Sequence, residues 1–138
     1  RFGVILSKNG GALKKMLTPF KFGLGGMIGS GQQKFSWVSI EDVINAIIYI
    51  MDKPNIVGAV NITSPNPVSN EVYTKTLGKV LKRPTFFTMP AFICRLLFGE
   101  MADELLLSSQ SVMPKKLIQN GFSFTHLEIE SALTKILK

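Results

Sequence analysis

"KFSWVSIEDVINAIIYIMDKPN", residues 34–55, changes periodicity part-way along. Its first five residues, with two aromatics and a β-branched valine, read as a short strand. Ser39 follows as a helix N-cap, with Glu41 and Asp42 in the first turn, where the helix dipole favours negative charge. Val43, Ile44, Ile47, Ile48, Ile50 and Met51 then recur on more than one face. The spacing predicts a helix to about Met51, buried on two sides as helices packed on a sheet are. "DKPN" stops it. A strand running into a capped, apolar helix is a building unit of α/β sheets.

The rest of the chain extends this pattern in both directions. "FGVIL", residues 2–6, reads as a buried strand that turns at "SKNGG". In "ALKKMLTPF", Leu13, Met16 and Leu17 share a helical face, and Pro19 ends the run. "KFGLGGMIGSGQQ" is a glycine-rich loop that permits close approach of another group. Downstream, "GAVNIT", residues 58–63, predicts a strand and "SPNPVS" a turn. Ser69 caps a helix to about Lys82, with Val72, Thr76, Leu77 and Val80 as its inward stripe. "RPTFFTMP" reads as extended, and "AFICRLLFG" and "MADELLLS" as helical. "MPKKLIQNG" is a short helix with Pro114 near its start and Gly121 at its exit. "FSF" predicts a brief strand. Thr125 and Glu128 form a capping box for a last helix over 126–137, whose apolar contacts are Leu127, Ile129, Leu133 and Ile136. The first half therefore alternates strands and helices and the second half is mostly helical, a piece of a parallel α/β sheet with about three strands.

The 138 residues suffice for a hydrophobic core. Apolar residues make up 46% and charged residues 18%, which points to apolar surface that something else covers. The longest apolar runs are interrupted by charges, so no membrane span is expected. The chain opens on Arg1 rather than on methionine and carries no signal-peptide pattern, which reads as the interior of a longer polypeptide. One cysteine, Cys94, and one histidine, His126, exclude an internal disulfide and Cys- or His-rich metal sites, and fit a reducing cytoplasm. The net charge of +7 is scattered, without the basic stripe interleaved with aromatics that nucleic-acid binding uses. A solvated basic surface is the expectation.

"GQQKFSWVSIEDV", residues 31–43, resembles a pocket rim, yet no complete catalytic set accompanies it. "GLGGMI" fails the dinucleotide fingerprint at Ile28, and "GMIGSGQQ" has Gln32 where a phosphate-binding loop needs lysine. Cys94 lies among apolar residues and reads as a structural thiol. His126, at a helix N-terminus, reads as a surface residue. Glu41 and Asp42 are adjacent on a helix and point apart, so they make a poor acid/base pair. Tyr49 and Lys53 match Y-x-x-x-K, but at the end of a very apolar helix the match reads as coincidence. Trp37 suits either the core or a ligand-stacking position.

Three stretches taken in order carry a family resemblance: "RFGVILSKNGGALKKMLTPFKFGLGGMIGSGQQKFSWVSIEDVINAI", "GAVNITSPNPVSNEVYTKTLGKVLKRPTFFTMP" and "LLFGEMADELLLSSQSVMPKKLIQNGFSF". Together they resemble the C-terminal half of extended short-chain dehydrogenase/reductases of the NAD(P)-dependent sugar-nucleotide epimerase-like group, sometimes labelled cell-division inhibitors. "GEMA", "LLL", "PKKL" and "GFSF" are the most specific part, similar to that group's small C-terminal domain.

The resemblance implies an α/β fold, with residues 1–83 as the C-terminal part of a Rossmann-like parallel-sheet domain and 84–138 as a small helical domain. It implies NAD or NADP as cofactor, a small-molecule substrate such as a sugar nucleotide, and a catalytic tyrosine–lysine pair outside these residues. Gly3, Val4 and Ile5 would line the nicotinamide end, although Phe2 stands where many relatives have proline. Phe20, Gly25, Gly26, Gln33 and Trp37 would border the substrate cleft. Relatives that read W-I-H-I-D-D have histidine where this chain has Ser39, which either alters ligand contact or caps the helix equally well. No catalytic or metal-binding residue is assigned here, and the chain alone is expected to be inactive. The rival expectation is a stand-alone interaction module that self-associates or binds a partner chain.

Overall fold

The computed structural model describes residues 2–10, 13–14, 17, 20–23, 26–27, 31–85, 96, 99 and 112–137. Strand β1 (Val4–Leu6) pairs in parallel with β3 (Trp37–Ser39), Val4 opposite Trp37 and Leu6 opposite Ser39. β2 (Lys34–Phe35) pairs antiparallel with β4 (Val68–Ser69). The stretch 34–39 thus changes partners at Ser36, whose carbonyl accepts the Val4 N–H at 2.8 Å.

Alternation along the parallel pair sorts side chains between two cores. Val4, Leu6 and Trp37 face the larger core, with Leu13, Leu17, Phe20, Phe35, Tyr73, Leu77, Ile129 and Leu133. Val38, with Ile5 packed against it, faces the other, with Val43, Ala46, Ile62 and Leu117. Covering both faces is what a parallel pair requires. The first core is roofed by α2 (Asn70–Leu81) and α4 (Ile129–Leu137), and the second by α1 (Ile40–Met51) and α3 (Lys115–Gln119).

The caps follow the sequence. Ser39 Oγ accepts the Asp42 N–H and Ser69 Oγ the Val72 N–H, both at 3.2 Å. α2 ends on Lys82 in the left-handed conformation, and Gly121, with φ +83°, closes the turn after α3.

Several expectations are corrected. α1 buries only Asp42, Val43 and Ala46, while Ile44, Ile47, Ile48 and Met51 are exposed, so one side of the helix is open. The expected strand 58–63 reduces to a single parallel bridge between Phe2 and Ile62. "FSF" forms no strand; Phe122 and Phe124 pack edge to face at 4.9 Å and support the second core instead. α2 turns Tyr73 and Leu77 inward rather than Val72, because Tyr73 meets the Phe35 ring edge-on at 5.1 Å. The last helix begins at Ile129, not His126. Asp42 draws the Thr125 and His126 N–H groups at 2.7 and 3.0 Å, which takes these residues out of a helical start, and Leu127 is left exposed. Helical backbone recurs at Phe20 and Lys21, beyond Pro19. The expected elements over 86–95 and 101–108, with Cys94, lie outside the described residues.

Candidate functional site

The Phe2–Ile62 bridge is parallel, and the residues on its carboxyl side are Gly3 and Thr63. Open α/β sheets bind their ligands beyond the carboxyl ends of parallel strands. Gly3 donates its N–H to the Ile62 carbonyl at 3.0 Å. A Cβ at Gly3 would lie 2.8 Å from Ser36 O and 3.1 Å from Thr63 Cγ2, so only glycine lets the three segments meet here. Val4 is buried in the first core and Ile5 packs against the second.

The residues expected at the substrate cleft separate into two sets. Phe20 and Trp37 are buried together in the first core. Trp37 is wholly covered, its indole N–H donating to the Asn66 carbonyl at 2.7 Å. Gly26 is buried and Gln33 half-buried, while Gly25 lies outside the described residues.

The end of the glycine-rich loop is held by the start of α2. The first N–H groups of a helix have no partner within it. Here Asn70 N–H donates to Gln33 O and Glu71 N–H to Gly31 O, each at 2.8 Å. The Gln32 amide donates to Glu71 Oε2 at 2.8 Å, and Lys75 pairs with Glu71 Oε1 at 2.9 Å. The Lys75 ammonium, followed by the Gln32 amide, holds the Glu71 carboxyl below its usual range.

Gly31 has φ +74°, and a Cβ there would meet Met27 Sδ at 2.6 Å and Glu71 Cβ at 3.2 Å. Gly31→Ala should therefore cost about 2 kcal/mol in urea denaturation, from left-handed backbone strain plus the clash. Gly10→Ala, where a Cβ would meet nothing within 4 Å, is the control.

Side chains with the look of catalytic groups are occupied structurally. The Tyr49 hydroxyl donates to the Asn120 carbonyl, and Lys53 Nζ sits 5.2 Å from the Tyr49 ring centroid. His126 is a correction: it is buried, not superficial, with Nδ1 3.0 Å from Ser39 Oγ. Asp42, read as a first-turn charge, also anchors the segment entering α4. Sequence reasoning missed these contacts, and it missed the Ser36 and Thr63 hydroxyls, which both bond Val112. The partners lie 49 to 87 residues apart, and no local pattern announces them. Among the described residues no group of His, Cys, Asp or Glu could hold a metal ion, and no helix is long and apolar enough to cross a membrane.

Comparison with known proteins adds the family context. The family described as "Domain of unknown function (DUF1731)" matches residues 89–136. "Epimerase family protein Mb2239" of Mycobacterium bovis is 44% identical over 133 residues, which is 96% of this chain and 44% of that protein. The crystal structure of human epimerase family protein SDR39U1 (isoform 2) with NADPH is 34% identical, with a TM-score of 0.90 over 99% of this chain and 46% of its own. A nucleoside-diphosphate sugar epimerase from Corynebacterium glutamicum is 31% identical, with a TM-score of 0.74 over 99% of this chain and 25% of its own. The chain spans about half the length of the curated relatives it matches, and it corresponds to the C-terminal part of an epimerase-family protein with a Rossmann-like α/β fold.

Proposed function

We propose that this C-terminal part of an epimerase-family protein forms the substrate wall and part of the nicotinamide pocket of an NAD(P)-dependent epimerase or oxidoreductase. The backbone of Gly3, Val4 and Ile5 lines the nicotinamide end. Gly25, Gly26 and Gln33 border the substrate, a small molecule such as a sugar nucleotide, while Phe20 and Trp37 shape that border from behind. Residues 1–83 complete the sheet domain and 84–138 the small helical domain. The tyrosine general base that moves the proton during hydride transfer comes from residues outside this chain. The proposal places the protein in the cytoplasm.

The observation that carries this reading is the convergence of Gly3, Ser36 and Thr63 at the carboxyl side of a parallel bridge, in a chain that resembles a structure with NADPH. Two further features support it. The Phe2–Ile62 bridge is parallel, as pairing within a Rossmann-like sheet is. The open stripe of Ile44, Ile47, Ile48 and Met51 on α1 is the kind of surface that another part of the same polypeptide covers.

Turnover tests the reading. Residues 1–138 alone should show no NAD(P)-linked turnover, and the longer polypeptide carrying the preceding half should show it. Turnover by residues 1–138 alone would overturn the proposal. Stability tests the open face: Ile44→Ala should change the stability of these residues alone by less than about 0.5 kcal/mol, but cost about 2 kcal/mol in the longer polypeptide.

The same face supports a second reading, an interaction module that pairs with its own copies. Sedimentation separates the two. A stable dimer of the longer polypeptide that Ile48→Asp dissolves would favour the module.

A further inference from the structure

The two peptide groups that flank the distant Val112 are held by the two residues that enclose Gly3. The Ser36 hydroxyl accepts the Val112 N–H at 2.8 Å and donates to the Val112 carbonyl at 3.2 Å. The Thr63 hydroxyl donates to the same carbonyl, also at 3.2 Å. Both residues are buried, at 6% and 2% exposure. Ser36 also carries Val4 through its own carbonyl, and the Ser36 carbonyl and the Thr63 methyl form the walls against the Gly3 Cα. Two side chains thus do for Val112 what a strand ladder would otherwise do. The same two residues therefore contact Val112 on one side and Gly3 and Val4 on the other.

We infer that Ser36 and Thr63 are positioning residues for the nicotinamide end of the site, seating the Val112 peptide, and with it the residues that match the domain of unknown function, against the Gly3–Val4 backbone. This inference rests on the proposed function. It assigns the C-terminal residues a part in cofactor binding, acting through hydroxyls that do not themselves touch the cofactor. Removing a hydroxyl leaves a backbone group of the half-buried Val112 short of a partner on the side that faces buried Ser36 and Thr63, which makes the segment shift.

The test uses the longer polypeptide that carries these residues, with NADPH as the titrated probe. Ser36→Ala and the nearly isosteric Thr63→Val should each raise the NADPH Kd about tenfold. Ser36→Thr and Thr63→Ser, which keep the hydroxyl, should stay within about threefold of the parent. Hydrogen exchange at the Val112 amide should quicken in the first pair only. Unchanged NADPH affinity in Ser36→Ala and Thr63→Val, whatever Val112 does, overturns the inference and leaves the proposed function standing. Equal loss in all four variants also overturns it, because the effect would not follow the hydroxyl. If the parent protein binds neither NADPH nor NADH, the proposed function itself fails, and this inference with it.

Discussion

Trp37→Ala should cost about 3–5 kcal/mol, a large share of the 5–15 kcal/mol that holds a typical domain folded. The indole is wholly buried and belongs to the larger core, with Val4, Leu6, Phe20 and Leu77. Its removal leaves a cavity that the short β1–β3 pair cannot close. The loss extends to the backbone around it, since Trp37 O accepts the Ser64 N–H at 2.7 Å and Trp37 Nε1 holds Asn66. Trp37→Phe keeps most of the volume and forfeits one hydrogen bond, so it should cost about 1–2 kcal/mol. Urea denaturation of both variants measures the difference. A Trp37→Ala protein with parental stability but weakened ligand binding would show instead that the indole contacts the substrate directly.

Asp42→Ala should cost about 3 kcal/mol, because its carboxylate alone satisfies two backbone donors. Asp42 is 1% exposed, and its two oxygens accept from Thr125 and His126 at 2.7 and 3.0 Å. The same residues bring the His126 ring against Ser39, so the start of α1 and the approach to α4 are closed by one polar cluster. Asp42→Asn should lose nearly as much, since its amide nitrogen meets an N–H group with another donor. Denaturation midpoints, together with hydrogen exchange at His126 N–H, check this. A neutral Asp42→Asn would contradict the account by showing that the negative charge is unnecessary.

Local chemistry was legible wherever a single turn or helix decides it. Ser39 and Ser69 cap their helices, α1 runs to Met51, and Gly121 ends α3 as the residues imply. Features set by distant partners were not legible. Val72 and Tyr73 are neighbours in one helix, and only the Phe35 ring decides which faces inward. Thr125 and Glu128 spell a capping box, but a carboxylate 83 residues earlier captures the Thr125 N–H. "GAVNIT" has strand composition, yet a strand also needs a ladder of successive bridges, and the bridge among the described residues is at Ile62. At the proposed site, Gly3 was singled out only because "RFGVI" resembles a cofactor-binding segment. Ser36, Thr63 and Val112 escaped notice because a serine in "KFSWV" looks the same whether its hydroxyl meets water or a peptide 76 residues away.

The most direct measurement of the central claim, that this chain is one wall of a nicotinamide site completed by residues outside it, is an NADPH titration of two proteins side by side: residues 1–138, and the longer polypeptide that contains them. The account predicts saturable binding by the longer polypeptide and none by residues 1–138. Equal affinity in the two would contradict it.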